Sequence, residues 1–181
     1  MEIYLIRHSK VVVDNGICYG QSDVELDGSY LETLRVYEQR LPDGFDQVYS
    51  SPLKRCKTLA KDLSNDVLFD DRLKEFNFGD WELCAWDDIS SRDSKNWFDN
   101  YITQPTPNGE SLIEFSHRVS SFIKELESEN LDKVLIVCHA GVIRCFYHYF
   151  NSIALDHFFD TAVSYNDIHF KSSQTHLIEL L

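Results

Sequence analysis

The apolar run from Val134 to Val137 is the most strand-like segment of the chain, and it constrains the fold more than any other feature. It leads through Ala140-Gly141 into a predicted helix over 142–150, which defines a strand–turn–helix unit. A second short apolar run, from Ile3 to Ile6, predicts another buried strand near the N-terminus.

Strands and helices alternate along the rest of the chain. Further strands are predicted at 48–49, 67–69 and 176–180, and helices at 28–40, 53–63, 85–99 and 110–129. This alternation predicts an α/β fold, a three-layer sandwich whose mostly parallel central sheet carries helices on both faces. No repeat or long linker divides the sequence, so residues 1–181 are expected to form a single domain.

Composition excludes several functions. Seventeen basic and 30 acidic residues give a net charge of −13, which disfavours nucleic acids and anionic membranes as partners. Five cysteines at irregular spacing predict neither a disulfide framework nor a zinc site. The N-terminus lacks the pattern of a signal peptide, so we expect a cytoplasmic protein.

Two of the predicted strands end next to a histidine. The first runs into Arg7-His8, and the strand over 134–137 runs into Cys138-His139. If these strands are neighbours, the two histidines face each other beyond the carboxyl ends of the sheet, where ligands of such folds bind. Arg55 lies in the first turn of a predicted helix after Ser50-Ser51-Pro52, a favourable place for an anion. Two arginines and two histidines around one crevice predict a site for a phosphoryl group.

The segment VCHAGVIR (137–144) allows a second interpretation. Cys138, Gly141 and Arg144 have the spacing of a cysteine-dependent phosphatase loop, which would make the thiol the nucleophile. Against this, Cys138 continues an apolar strand, where cysteine usually behaves as a small hydrophobic residue. This interpretation also leaves the motifs around His8 and Arg55 unexplained. We therefore expect His139 to belong to the chemistry and Arg144 to be a helix residue beyond the site.

Five motifs in this order resemble those of the histidine phosphatase superfamily, also called phosphoglycerate-mutase-like. They are Arg7-His8-Ser9, SSPLKRC (50–56), KEFNFGDWE (74–82), PNGES (107–111) and CHAGVIR (138–144). The resemblance extends over nearly the whole chain. Ser9 departs from the usual glycine and Leu59 from a common threonine. Ser9 and the segments GICYGQSDVEL (16–26) and FGDWEL (78–83) are similar to the α-ribazole phosphatase branch.

This resemblance implies a phosphatase that needs no metal or other cofactor and that forms a phosphohistidine intermediate. His8 would be the nucleophile, and Glu75 would protonate the leaving group and later deprotonate water. Arg7, Arg55 and His139 would surround the phosphoryl oxygens and stabilise the transition state.

Two parts of the predicted site depend on less specific signals. Other carboxylates could replace Glu75 as the acid: Asp70, Asp71, Asp80 and Glu82. Substrate contacts are predicted at Tyr19, Gly20, Gln21 and Ala140. The aromatic segment 76–101, with Trp81, Trp86 and Trp97, would form a wall for a flat ring system.

The expected partner is a small-molecule phosphate monoester. The branch resemblance implies α-ribazole 5′-phosphate, a nucleotide-like monoester of cobalamin assembly. The alternatives are a broad-specificity phosphatase for sugar or nucleotide monophosphates and an inactive binding module. Mutases of this family are longer, with an insertion that shields the phosphoenzyme from water. Only about 30 residues separate Glu75 from Pro107 here, so we expect hydrolysis and not mutase activity. A homodimer is compatible with the sequence.

Overall fold

The computed structural model describes residues 1–89, 91–175 and 177–181, and these form a six-stranded sheet. The strands are β1 (Glu2–Arg7), β2 (Gln47–Ser50), β3 (Val67–Phe69), β4 (Lys133–Cys138), β5 (Ile168–Lys171) and β6 (Ile178–Leu180). Their order is β3-β2-β4-β1-β5-β6. The four strands from β3 to β1 pair in parallel, and β5 and β6 add antiparallel pairs at one edge.

Helices cover both faces of this sheet. They are α1 (Tyr30–Arg40), α2 (Lys54–Leu63), α3 (Ser91–Asn100), α4 (Leu112–Ser128) and α5 (Ala140–Asn151). Alternate β1 residues point to opposite faces, so Ile3 and Leu5 pack in the core that includes residues of α4 and α5. Tyr4 and Ile6 pack in the other core, with residues of α1 and α2. The predicted three-layer α/β fold is confirmed.

The pairing of β1 with β4 positions the candidate site. Their parallel register aligns Ile6 with Val137 and Arg7 with Cys138. The ladder continues one step further, because the His8 N–H donates to the Cys138 carbonyl oxygen at 3.0 Å. The two strands are therefore neighbours, which meets the condition stated from the sequence, and His8 and His139 leave the sheet at the same edge.

Local differences from the predicted elements have identifiable causes. The predicted helix 85–99 begins only at Ser91, since Ala85 pairs with Ile17 and the Trp86 N–H donates to the Gly16 carbonyl. Strand β5 was not predicted. Strand β6 covers only 178–180 of the predicted strand 176–180, and position 176 lies outside the described residues.

The starts of α2 and α4 differ in their caps. Helix α2 starts after Leu53 without a side-chain cap. Helix α4 starts with a reciprocal capping box formed by Ser111 and Glu114. Within the described ranges, none of the helices has the length and apolar character needed to cross a membrane.

Candidate active site

A cavity of about 230 Å³ lies where β1 and β4 end. Its polar wall consists of Arg7, His8, Arg55, Glu75 and Arg144. Aromatic side chains form much of the rest. The cavity therefore combines a cationic part with an apolar part, as expected for a site that binds an anionic group attached to an organic one.

His8 is buried and neutral. Its Nδ1 lies 2.7 Å from the Ser9 carbonyl oxygen, which can only accept a hydrogen bond, so Nδ1 carries the proton. Nε2 consequently has a free lone pair. Burial lowers the pKa of His8 well below its ordinary value, and the positive charges of Arg55 and Arg7 lower it further.

His139 lies beside His8, with their ring centres 5.1 Å apart. Its Nδ1 accepts a hydrogen bond from Arg55 Nε at 3.3 Å, so Nε2 carries the proton and lies 2.8 Å from Ser51 Oγ. Burial lowers the pKa of His139 well below its ordinary value, and Arg55 and His8 contribute. The ring is fully buried and is not part of the cavity wall.

Arg55 is fully buried although it carries a charge. Besides its contact with His139, it donates from Nη1 to the Ser22 carbonyl at 2.9 Å and from Nη2 to the Gly20 carbonyl at 2.5 Å. These acceptors are neutral, so they satisfy the hydrogen bonds and leave the positive charge uncompensated. Such a charge favours an anion in the adjacent cavity.

Arg7 supplies a second cation. Its terminal nitrogens donate to the Val163 carbonyl at 2.9 Å and to the Tyr165 hydroxyl at 3.1 Å. Its guanidinium carbon lies 3.9 Å from the centre of the Tyr165 ring. The Nε atom is buried and has no hydrogen-bond partner among the described residues. This donor is available to an oxygen of a bound ligand.

Glu75 approaches the N-terminus of α5. Its Oε2 accepts from the Gly141 N–H at 3.2 Å and its Oε1 from the Phe76 N–H at 3.1 Å. A Cβ atom at position 141 would lie 2.3 Å from Glu75 Oε1, so only glycine permits this approach. None of the other four candidate carboxylates lines the cavity.

Glu82, which the sequence left open as an alternative acid to Glu75, does not line the cavity. Its carboxylate accepts from the Gln21 N–H at 2.8 Å and from the Ser22 N–H at 2.5 Å. It thereby orders the loop whose carbonyl oxygens, at Gly20 and Ser22, bind Arg55. We interpret Glu82 as a positioning residue for Arg55.

The predicted substrate contacts divide into two groups. Tyr19 and Ala140 line the cavity. Gly20 and Gln21 are outside the cavity wall; Gly20 binds Arg55, and the Gln21 side chain donates to the Glu75 carbonyl at 3.0 Å.

The aromatic wall is only partly the one that the sequence predicted. Among the three predicted tryptophans, Trp97 lines the cavity, whereas Trp81 and Trp86 pack behind it. Phe158 and Phe159, which no motif marks, complete the wall from the segment after α5.

Arg144 corrects the sequence prediction. It was expected beyond the site, but it lines the cavity together with Glu75 and Phe159. Position 144 follows Gly141 by three residues on α5, so both lie on the same side of the helix. That spacing could have indicated a shared position, whereas nothing in the sequence marks Tyr165 as a partner of Arg7.

Cys138 does not have the environment of a nucleophile. It is fully buried in the core beneath α4 and α5 and does not line the cavity. Burial raises the pKa of its thiol well above the ordinary value, whereas a nucleophilic cysteine must be a thiolate.

A buried histidine beside two arginines, with a carboxylate on the same cavity, is an arrangement that suits the binding of a phosphoryl group. Comparison of the sequence with protein families agrees. The model of the histidine phosphatase superfamily (branch 1) matches residues 3–180. The chain belongs to this superfamily, and it is a phosphatase.

Individual relatives are distant but match over most of their length. The adenosylcobalamin/α-ribazole phosphatase of Salmonella typhimurium is 28% identical, over 79% of this chain and 76% of its own. Phosphoserine phosphatase 1 of Hydrogenobacter thermophilus is 24% identical, over 99% and 92%. The crystal structure of the α-ribazole phosphatase from Shigella flexneri superposes with a TM-score of 0.88 at 27% identity, covering 100% of this chain and 95% of that one.

The buried histidines predict how stability depends on pH. Below about pH 6.5 an unfolded histidine binds a proton, whereas His8 in the folded protein stays neutral until the pH reaches its lowered pKa. The free energy of unfolding should therefore fall as pH drops from 7 to 5.5, by about 1 kcal/mol for each such histidine. Urea denaturation of His8→Asn should show a loss about 1 kcal/mol smaller than the wild type. The exposed His117 is the control, since His117→Asn should keep the wild-type pH dependence. An unchanged loss in His8→Asn would contradict the neutral state of His8.

The contacts of Glu82 predict that its substitution lowers activity mainly through Arg55. Glu82→Gln should lower kcat/KM for p-nitrophenyl phosphate by about 10-fold to 100-fold, because the loop that orients Arg55 loses its anionic acceptor. In an Arg55→Met background the same change should cost less than about threefold. Asp80→Asn, an exposed change in the same segment, should have little effect. Equal losses in both backgrounds would show that Glu82 acts independently of Arg55.

Proposed function

We propose that this protein hydrolyses phosphate monoesters through a phosphohistidine formed on His8. One observation carries the proposal: the Ser9 carbonyl binds the Nδ1 proton of a buried, neutral His8, which leaves Nε2 as a nucleophile. Arg7 and Arg55 supply the positive charge beside it that a phosphoryl group needs.

The first step forms a bond between His8 Nε2 and phosphorus and breaks the bond to the ester oxygen. Glu75 donates a proton to the departing alkoxide. In the second step water attacks phosphorus, the P–N bond breaks, and Glu75 takes a proton from the water. General acid–base catalysis of this kind contributes about 10²-fold to 10⁴-fold.

The arginines act on the charge of the transition state. Arg7 Nε has no partner among the described residues and can donate to a phosphoryl oxygen. The charge of Arg55 lies next to His8, and its contact with His139 Nδ1 fixes the direction of the guanidinium. His139 would thus contribute by orienting Arg55 as well as through its place next to the nucleophile.

Paired substitutions test the identity of the nucleophile. His8→Ala should abolish turnover of p-nitrophenyl phosphate, whereas Cys138→Ser should retain most of it. Brief exposure of the wild type to substrate at alkaline pH should give a phosphorylated protein in intact-protein mass spectra, and His8→Ala should not. Activity in His8→Ala combined with none in Cys138→Ser would refute the histidine mechanism. Absence of any turnover by the wild type, with chelator added, would instead favour the binding module.

The finer proposal is that the substrate is α-ribazole 5′-phosphate. Two relatives with this activity in their names support it, at 28% and 27% identity. The aromatic wall that includes Phe78 and Trp97 also suits a flat heterocycle attached to the phosphorylated sugar.

A broad-specificity phosphatase is the second candidate. The cavity of about 230 Å³ is smaller than the roughly 300–1,000 Å³ of sites that enclose drug-sized ligands, which favours smaller esters. The relative named phosphoserine phosphatase 1 has a small ester in its name, which agrees with a small substrate.

Substrate comparison separates these candidates. If α-ribazole 5′-phosphate is the substrate, its kcat/KM should exceed that of AMP, ribose 5-phosphate and O-phospho-L-serine by at least about 100-fold. Values within about tenfold of one another would establish broad specificity instead. Phe78→Ala should reduce the preference for α-ribazole 5′-phosphate over ribose 5-phosphate, because only the former has a ring to stack. The exposed Phe69→Ala, on β3 and outside the cavity wall, is the matched control.

A further inference from the structure

Arg144 is a cationic side chain in the cavity for which the proposed reaction has no role. Its Nε donates to the Thr161 carbonyl oxygen at 2.9 Å, and its guanidinium carbon lies 5.8 Å from the centre of the Phe159 ring. Neither terminal nitrogen donates a hydrogen bond to any group in the part of the chain that the structure describes. These contacts fix the direction of the side chain and leave its two terminal nitrogens available to donate hydrogen bonds to a ligand.

The environment of Arg144 favours a ligand oxygen as the acceptor for these donors. The side chain is partly buried among aromatic rings and forms no ion pair with a described residue. A guanidinium that has lost part of its water and faces a cavity is stabilised by an acceptor oxygen from a ligand. Trp97, also in the cavity wall, is 4% exposed and has an indole N–H without a partner among the described residues.

The surroundings of Arg144 include Glu75. Arg144 follows Gly141 by three residues on the same side of α5, and the Gly141 N–H binds Glu75. Arg144 and Glu75 also line the same cavity. Glu75 is the proposed proton donor to the departing oxygen, so a leaving group beside Glu75 would lie near Arg144.

We propose that Arg144 binds the leaving group through an acceptor oxygen close to the ester oxygen. Two kinds of leaving group share this chemistry, a sugar with free hydroxyl groups and a small organic group with a carboxylate. The inference rests on the proposed function in one respect, which is that the leaving group lies next to Glu75. It makes Arg144 a specificity residue that favours oxygen-rich leaving groups over plain alkyl ones.

Matched ligand pairs test this role by equilibrium binding, so that the result does not depend on turnover. AMP and 2′,3′-dideoxyadenosine 5′-monophosphate differ only in the ribose hydroxyls. O-phospho-L-serine and O-phosphoethanolamine differ only in the carboxylate. Dissociation constants are measured by titration calorimetry on His8→Asn protein, which should not hydrolyse the esters, with and without Arg144→Met.

We expect His8→Asn protein to bind the oxygen-bearing member of at least one pair more tightly. Arg144→Met should reduce that preference by about 10-fold to 100-fold, the range expected for hydrogen bonds to a charged donor. The pair that responds identifies the kind of leaving group, hydroxyl or carboxylate. Arg144→Lys should retain an intermediate preference, because it keeps the charge but loses the fork of donors.

Arg35 offers a control of the same type, since it is exposed on α1 and lies outside the cavity wall. Arg35→Met should preserve every preference, and thermal melting should show that each variant is folded. The proposal is overturned if the preferences within both pairs are equal with and without Arg144→Met. It is also overturned if Arg35→Met removes them as effectively. Failure of the wild type to hydrolyse any ester would refute the proposed reaction and would leave this binding comparison valid.

Discussion

The parallel pairing of β1 with β4 is the constraint on which the site depends. Arg7 lies opposite Cys138, and the next residues, His8 and His139, therefore leave the sheet together with their rings 5.1 Å apart. A shift of one residue in either strand would turn its side chains to the opposite face and separate the pair. The apolar character of both strands, with α4 and α5 on one face and α1 and α2 on the other, specifies this register.

The site also depends on a buried positive charge in an acidic protein. The chain has a net charge of −13, yet Arg55 is fully buried and bonds to His139 and to backbone carbonyl oxygens. Neutral acceptors satisfy the geometry of a guanidinium without cancelling its charge. Burial lowers the pKa of both histidines, and that charge lowers it further and makes the cavity attractive to an anion.

The sequence predicted the fold class well because strand and helix patterns are local, whereas the strand order became known only from the structure. It also predicted Arg7, His8, Arg55 and Glu75, which line the cavity, although their catalytic roles stay a proposal. It did not predict Tyr165, the partner of Arg7, or Phe158 in the cavity wall, because both belong to a segment without motif or periodicity. It misplaced Arg144, since the direction of a helical side chain depends on packing, here against Phe159 and the Thr161 carbonyl.

The sulfur atoms beside the candidate site have one further consequence. Cys56 Sγ lies 3.4 Å from His139 Nε2, and Cys138 directly precedes that histidine, yet burial raises the pKa of both thiols. Oxidants and alkylating reagents react with thiolates, and these cysteines remain protonated and fully buried. The protein thus places two soft, polarisable sulfur atoms near its candidate site as buried, protonated thiols, unlike a phosphatase whose nucleophile is a thiolate.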